Sequence, residues 1–175
     1  MDTTTVNTVT GTTTPEQLGT TLMHEHLMVG WPGWDSDTLE PGPNRDEAIA
    51  VCVERIEEMK AHGVTAMLDP CPNDLGRDVE LMAEVASRTG FTLICATGLY
   101  KEDQGGTPYW KFRQQFGGGP EYIAEMFIRE LPQGIGSTGV KAGIIGELGC
   151  SWPLTDNERK VLRAGARAQQ VTGAA

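Results

Sequence analysis

The sequence predicts an α/β fold, the first half of a barrel of βα units wound around a parallel sheet. Three observations carry that expectation. Short apolar runs of strand length alternate with longer segments of helical period, which is the pattern of βα units. Glycines stand where helices should stop. Four such units fit in 175 residues, whereas an eight-unit barrel takes about 250.

The units follow one another in order. A first strand is expected over Thr20–Val29, then a loop rich in Gly, Pro and Trp from Gly30 to Pro43. A helix over Arg45–His62 places Ile49, Cys52, Val53, Ile56 and Met59 on one face, and Gly63 caps it. The second strand, Val64–Leu68, ends at Asp69-Pro70. The second helix, Arg77–Thr89, gathers Val79, Met82 and Ala86 on one side and stops at Gly90. Phe91–Thr97 is the third strand. The loop after it carries Tyr100, Tyr109, Trp110 and Phe116, an aromatic content suited to shaping or covering a pocket. Pro120 opens a third helix running to about Glu130, Val140–Leu148 forms the fourth strand, and Asp156–Val171 the fourth helix. Thr155 is its N-cap, with Glu158 completing a capping box.

Composition narrows the function. Lys and Arg number 14 against 24 Asp and Glu, a net charge of −10, which argues against nonspecific binding to nucleic acid or anionic membranes. No apolar stretch approaches the roughly 20 residues of a membrane helix. Met1–Thr10 is Thr-rich and lacks the basic and apolar regions of a targeting segment, so a cytoplasmic location is expected. Cys52, Cys71, Cys95 and Cys150 form no CxxC pair and read as free thiols, mostly buried. Val171-Thr172-Gly173 reads as a helix end leading toward a fifth strand, so the chain is expected to be a single partial domain, residues 1–175, the amino-terminal part of a longer barrel.

Two of the three histidines occur as His24-Glu25-His26. In a strand, side chains alternate, so His24 and His26 would share a face and could reach one metal ion; the other reading is a pair of polar groups satisfied by backbone. His62, at a helix end, reads as structural. Glu147 falls near the end of the fourth strand, where barrels of this kind place their sites, as a metal ligand or as one partner of a salt bridge. Gly134–Gly139 matches GxGxxG but follows a helix and precedes a strand, the reverse of a dinucleotide site, and is expected to be a turn. Arg77-Asp78 could be mistaken for a phosphate site, yet Asp78 suits a helix N-terminus.

Taken together, TLMHEHL, NDLGRDVELMAEV, ATGLYKED and GVKAGIIGELGCSWPLTDNERKVLRA resemble, in order, the phosphotriesterase-related family of the amidohydrolase superfamily. The resemblance runs from Val9 onward. It implies a TIM (β/α)8 barrel, of which about the first four βα units are present, with a binuclear, usually zinc, centre that activates water against an ester, lactone, amide or phosphotriester bond of a small-molecule substrate. It places metal ligands at His24 and His26 and the bridging ligand at Glu147. Many relatives use a carboxylated lysine as the bridge, but Lys141 lies at the wrong end of the strand. The histidines of strands five and six and the aspartate of strand eight would fall beyond Ala175, so no catalytic set is complete and the chain is expected to be inactive alone. His and Glu would also accept manganese, cobalt or iron. Tyr100, Trp31 and Trp34 fall where this fold lines its substrate pocket, or else pack their loops onto the barrel. The alternative function is a non-catalytic half-barrel that associates with itself or with a complementary half through open sheet edges.

Overall fold

The computed structural model describes residues 5–118 and 121–175. Four strands, β3 (Thr21–Leu22), β4 (Ala66–Asp69), β5 (Thr92–Leu99) and β6 (Ile144–Leu148), form one sheet in that order, every neighbouring pair parallel. Sequential parallel strands joined by helices make half of a (β/α)8 barrel. Ahead of them stand an antiparallel hairpin, β1 (Val6–Thr8) with β2 (Gly11–Thr13), and a single turn of helix, α1 (Pro15–Leu18). The hairpin is tied to the barrel: Val9 N–H donates to the Leu93 carbonyl, and the Asn7 amide donates to the carbonyls of Leu131 and Ala142. Threonine-rich strands have no apolar alternation, so composition gave no sign of this hairpin.

The crossovers are α2 (Arg45–Ala61), α3 (Val79–Thr89), α5 (Tyr122–Glu130) and, after β6, α6 (Asp156–Thr172). Their ends follow the sequence signals. Asn44 caps α2 by accepting from Glu47 N–H, and Gly63 follows it at φ 82°. Asp78 caps α3, accepting from Leu81 N–H at 2.8 Å, so that helix begins at Val79 and not at Arg77. Thr155 and Glu158 form the reciprocal capping box on α6. Pro120, expected to open the third helix, lies outside the described residues, and α5 begins at Tyr122. The aromatic stretch after β5 is not all loop: Thr107–Arg113 is a short helix, α4.

The core has two parts. Ile49, Cys52 and Ile56 of α2 and Leu81, Met82 and Val85 of α3 pack with Met67, Leu93 and Cys95 of the sheet. Ile123 and Phe127 of α5 and Val161, Ala164 and Ala168 of α6 pack around Leu99. Burying each of the Val, Leu, Ile, Met and Phe side chains among them contributes roughly 1.5–3 kcal/mol. Gly165 lets Leu148 lie close against α6, since a Cβ there would sit 2.5 Å from Leu148 Cδ1 and turn that side chain aside. Among the described residues no helix is long and apolar enough to cross a membrane. Cys52, Cys71 and Cys95 are buried free thiols and Cys150 is exposed.

The first and fourth expected strands are much shorter than predicted, and the second is shorter by one residue. The first ends at Leu22, because beyond it the backbone bonds to side-chain and single carbonyl acceptors: Glu25 N–H reaches the Leu68 carbonyl and Leu27 N–H the Asp69 carboxylate. The apolar pattern continued to Val29 because Leu27 and Met28 pack against the core from irregular chain. The fourth starts at Ile144, since Ala142 N–H donates to Glu130 at the end of α5 and Gly143 N–H to Cys95. Gly134, Gly136 and Gly139, all at positive φ, build the turn before it, closed by Ile135 N–H to the Val140 carbonyl.

Candidate metal centre

His24 and His26 therefore stand just past the end of β3, not within it. Strand alternation does not aim their rings; tertiary contacts do. The rings meet edge to face, with centroids 5.3 Å apart and planes at 84°. Glu147 arrives from β6, and its Oε2 is 3.8 Å from His24 Nε2. One ligand atom from each of His24, His26 and Glu147 falls within 4.8 Å of the others. Ligand atoms around one tetrahedral zinc stand roughly 3.3 Å apart, so shifts of about an ångström in these half-exposed side chains would close the set. Two imidazoles and a carboxylate are borderline donors suited to zinc, cobalt or manganese.

Asp69, expected only as the end of a strand, orients His26. It is fully buried at the end of β4. Its Oδ1 lies 3.1 Å from His26 Nδ1 and accepts from Cys71 N–H at 2.9 Å, while Oδ2 accepts from Leu27 N–H at 2.9 Å. Burial pushes the Asp69 carboxyl above its ordinary range, and the Leu27 and Cys71 amides and His26 partly offset that rise. With Nδ1 protonated toward Asp69, Nε2 of His26 keeps its lone pair for a cation, the usual carboxylate–histidine arrangement behind a metal ligand. A buried aspartate directly after an apolar strand was the available signal.

Cys71 lies beside the same carboxylate, within 4.8 Å of the His26 and Asp69 ligand atoms. Burial and the neighbouring Asp69 push its thiol up to about 12, and Sγ–H donates to the Leu75 carbonyl at 3.2 Å. Without a cation beside it Cys71 is a thiol.

Glu147 sits where the β5–β6 register slips. Thr97 pairs with Ile145 and Leu99 with Leu148, so Gly146 and Glu147 together face Gly98. A Cβ on Gly98 would lie 2.3 Å from the Glu147 carbonyl oxygen, so only glycine lets β6 approach this closely. Glu147 N–H reaches across to the Pro70 carbonyl at 3.0 Å. Lys141 lies ahead of the first residue of β6, away from the cluster. His62 caps the end of α2, apart from the other two histidines.

The aromatic residues divide. Trp31 meets Tyr100 edge on, with centroids 5.9 Å apart, joining the loops after β3 and β5. Tyr100 is held by its own N–H, which donates to Asp74 Oδ1 at 2.8 Å, and Gly106 N–H donates to Asp74 Oδ2 at 2.7 Å. Trp34 lies against Gly30 and Gly42, where a Cβ would meet its ring at 2.2 and 2.9 Å. With Tyr109, Trp110 and Asp35 it lines a separate cavity of about 360 Å³.

Comparison with known proteins identifies the family of the fold. The profile of the Phosphotriesterase family matches residues 4–175. A phosphotriesterase homology protein of Mycobacterium tuberculosis is 35% identical over 97% of the chain and 52% of its own length. An N-acetyltaurine hydrolase of Xenopus tropicalis is 32% identical over 96% of the chain and 54% of its own length. The structure of an organophosphorus hydrolase from Deinococcus radiodurans superposes with a TM-score of 0.91 at 39% identity, over 97% of the chain and 51% of that protein. The chain spans about half the length of the curated relatives it matches. On the extent of these matches, the chain belongs to the phosphotriesterase family.

Proposed function

We propose that these residues supply the first ligands of a divalent-metal hydrolase, with His24 and His26 on one ion and Glu147 as the bridge to a second. The observation that carries this reading is the convergence of His24, His26 and Glu147 from two separate strand ends, with His26 backed by a buried carboxylate. A divalent ion bound there supplies Lewis-acid polarisation and a water of lowered pKa. The rest of the work belongs to the chain. Asp69 holds the His26 ring at Nδ1, which would leave Nε2 free to hold the ion. Glu147 contributes charge that balances the cation, and Trp31, edge on to Tyr100, walls one side of the space where a small ester, lactone, amide or phosphotriester would sit. The names of the relatives, an organophosphorus hydrolase and an N-acetyltaurine hydrolase, support hydrolysis of a small molecule. Zinc is the ion we assign, because two imidazoles and a carboxylate match its usual donors.

Three ligands do not organise two ions, so these 175 residues by themselves bind no more than one equivalent of metal and do not turn over substrate. Equilibrium dialysis against zinc, followed by metal analysis, tests the first statement: His24→Ala and Glu147→Ala lower uptake, and uptake unchanged in both would remove the assignment. Robust zinc-dependent hydrolysis of aryl esters, lactones or phosphotriesters by the 175-residue chain would overturn the second.

A further inference from the structure

Arg77, set aside as a phosphate ligand, is instead part of a buried polar unit whose purpose the fold alone does not explain. Its side chain is 6% exposed and that of its partner Glu130 11%. Nη1 donates to Glu130 Oε2 at 2.8 Å and to the Ala96 carbonyl at 2.7 Å, and Nη2 donates to Glu130 Oε1 at 3.1 Å. Glu130 Oε1 also accepts from the Asn73 amide at 3.1 Å. Asn73 is thereby turned so that its Oδ1 accepts from Gly98 N–H at 3.1 Å, while its own N–H donates to the Gly98 carbonyl at 3.0 Å. A buried ion pair is weak evidence for stability and is better examined for what it specifies.

What it specifies is the place of the segment Asp69–Asn73. That segment carries both supports of the candidate ligands: Asp69 holds His26, and the Pro70 carbonyl accepts from Glu147 N–H. Its far end is locked to Gly98, the residue over which β6 passes to bring Glu147 in. We propose that Asn73, aimed by the Arg77–Glu130 pair, is a positioning residue for the metal centre, fixing the Asp69–Asn73 segment so that His26 and Glu147 stand at ligand spacing. This inference rests on the metal reading above, but its structural part can be tested without metal.

Cobalt(II) titration of the 175-residue chain, followed by its visible absorption, and nitrogen-15 NMR of the metal-free chain provide the two readouts. Asn73→Ala is expected to weaken cobalt affinity 10-fold or more, within the range typical for groups behind metal ligands. It also shifts the Glu147 amide and the His26 ring nitrogens. Glu130→Gln, which keeps an oxygen toward Asn73, gives a smaller change in both. Ile56→Val, a core truncation in α2, controls for general loss of stability and moves neither. The proposal is overturned if Asn73→Ala leaves the affinity and the resonances of Glu147 and His26 unchanged, or if Ile56→Val moves them equally. If the parent chain takes up no cobalt, the metal reading of the preceding subsection fails, and the resonances of metal-free Asn73→Ala decide this one alone.

Discussion

Replacing Asp69 by asparagine changes one atom of a fully buried side chain, and its three hydrogen bonds let the cost be worked out. Oδ1 serves Cys71 N–H and His26, and Oδ2 serves Leu27 N–H. If the new amide keeps its oxygen toward Cys71 and His26, its NH2 group faces Leu27 N–H, a donor against a donor. If it turns over, the NH2 faces Cys71 N–H and forces His26 to accept at Nδ1, which places the ring proton on Nε2, the atom needed for the ion. Either way a buried backbone donor loses its acceptor, at about 1–3 kcal/mol. A further 10- to 100-fold loss of metal affinity is typical when the partner of a ligand histidine is removed. Urea unfolding measures the first quantity and cobalt titration the second, while nitrogen-15 shifts of the His26 ring report which nitrogen carries the proton. An Asp69→Asn chain that keeps the parent's stability, cobalt affinity and ring tautomer would refute the account of Asp69 as the orienting group.

Other perturbations test other parts of the fold. Gly98→Ala places a methyl group against backbone atoms of Glu147 and Gly146 that cannot move aside, so a loss of roughly 2 kcal/mol or more in urea unfolding together with loss of metal uptake is expected; a tolerated alanine would contradict the close crossing. Glu158 accepts from Thr155 N–H, Ser151 N–H and Oγ, and Glu102 N–H. Burial raises its pKa, but these bonds together outweigh that and hold it at about 2, below the ordinary 4.5. Because the folded value is the lower one, this stabilisation is complete above about pH 5 and is lost as pH falls toward 2. Thermal melts of Glu158→Gln should therefore lie below the parent at pH 7 and converge with it near pH 2, and a constant gap would show that charge is not the cause. Among the described residues β3 and β6 each pair with one strand of the sheet, which favours self-association as a second reading. Light scattering should then show dimers or larger species, and a well-behaved monomer would count against it.

The repeating βα units, the capping box at Thr155 and the glycine stops at Gly63 and Gly90 are local features, and they were legible because capping and hydrophobic period act within a few residues of chain. The hairpin at Val6–Thr13 and the helix at Thr107–Arg113 were not, since threonine and aromatic residues there answer to packing, and neither segment shows a clear period. For the site, the residue types were readable from HEH and GELG, but the expected reason for their convergence was not the actual one. His24 and His26 do not share a strand face; they come together in irregular chain because a buried carboxylate 43 positions away holds one of them. Glu147 reaches them only because β6 slips register over Gly98. The sequence by itself determined which groups could ligate a metal and the order of the elements that carry them. The tertiary structure alone decided their spacing, because the hydrogen bonds that set it, from Asp69, Pro70 and Asn73, join residues far apart in the chain, and no local pattern records a partner at that distance.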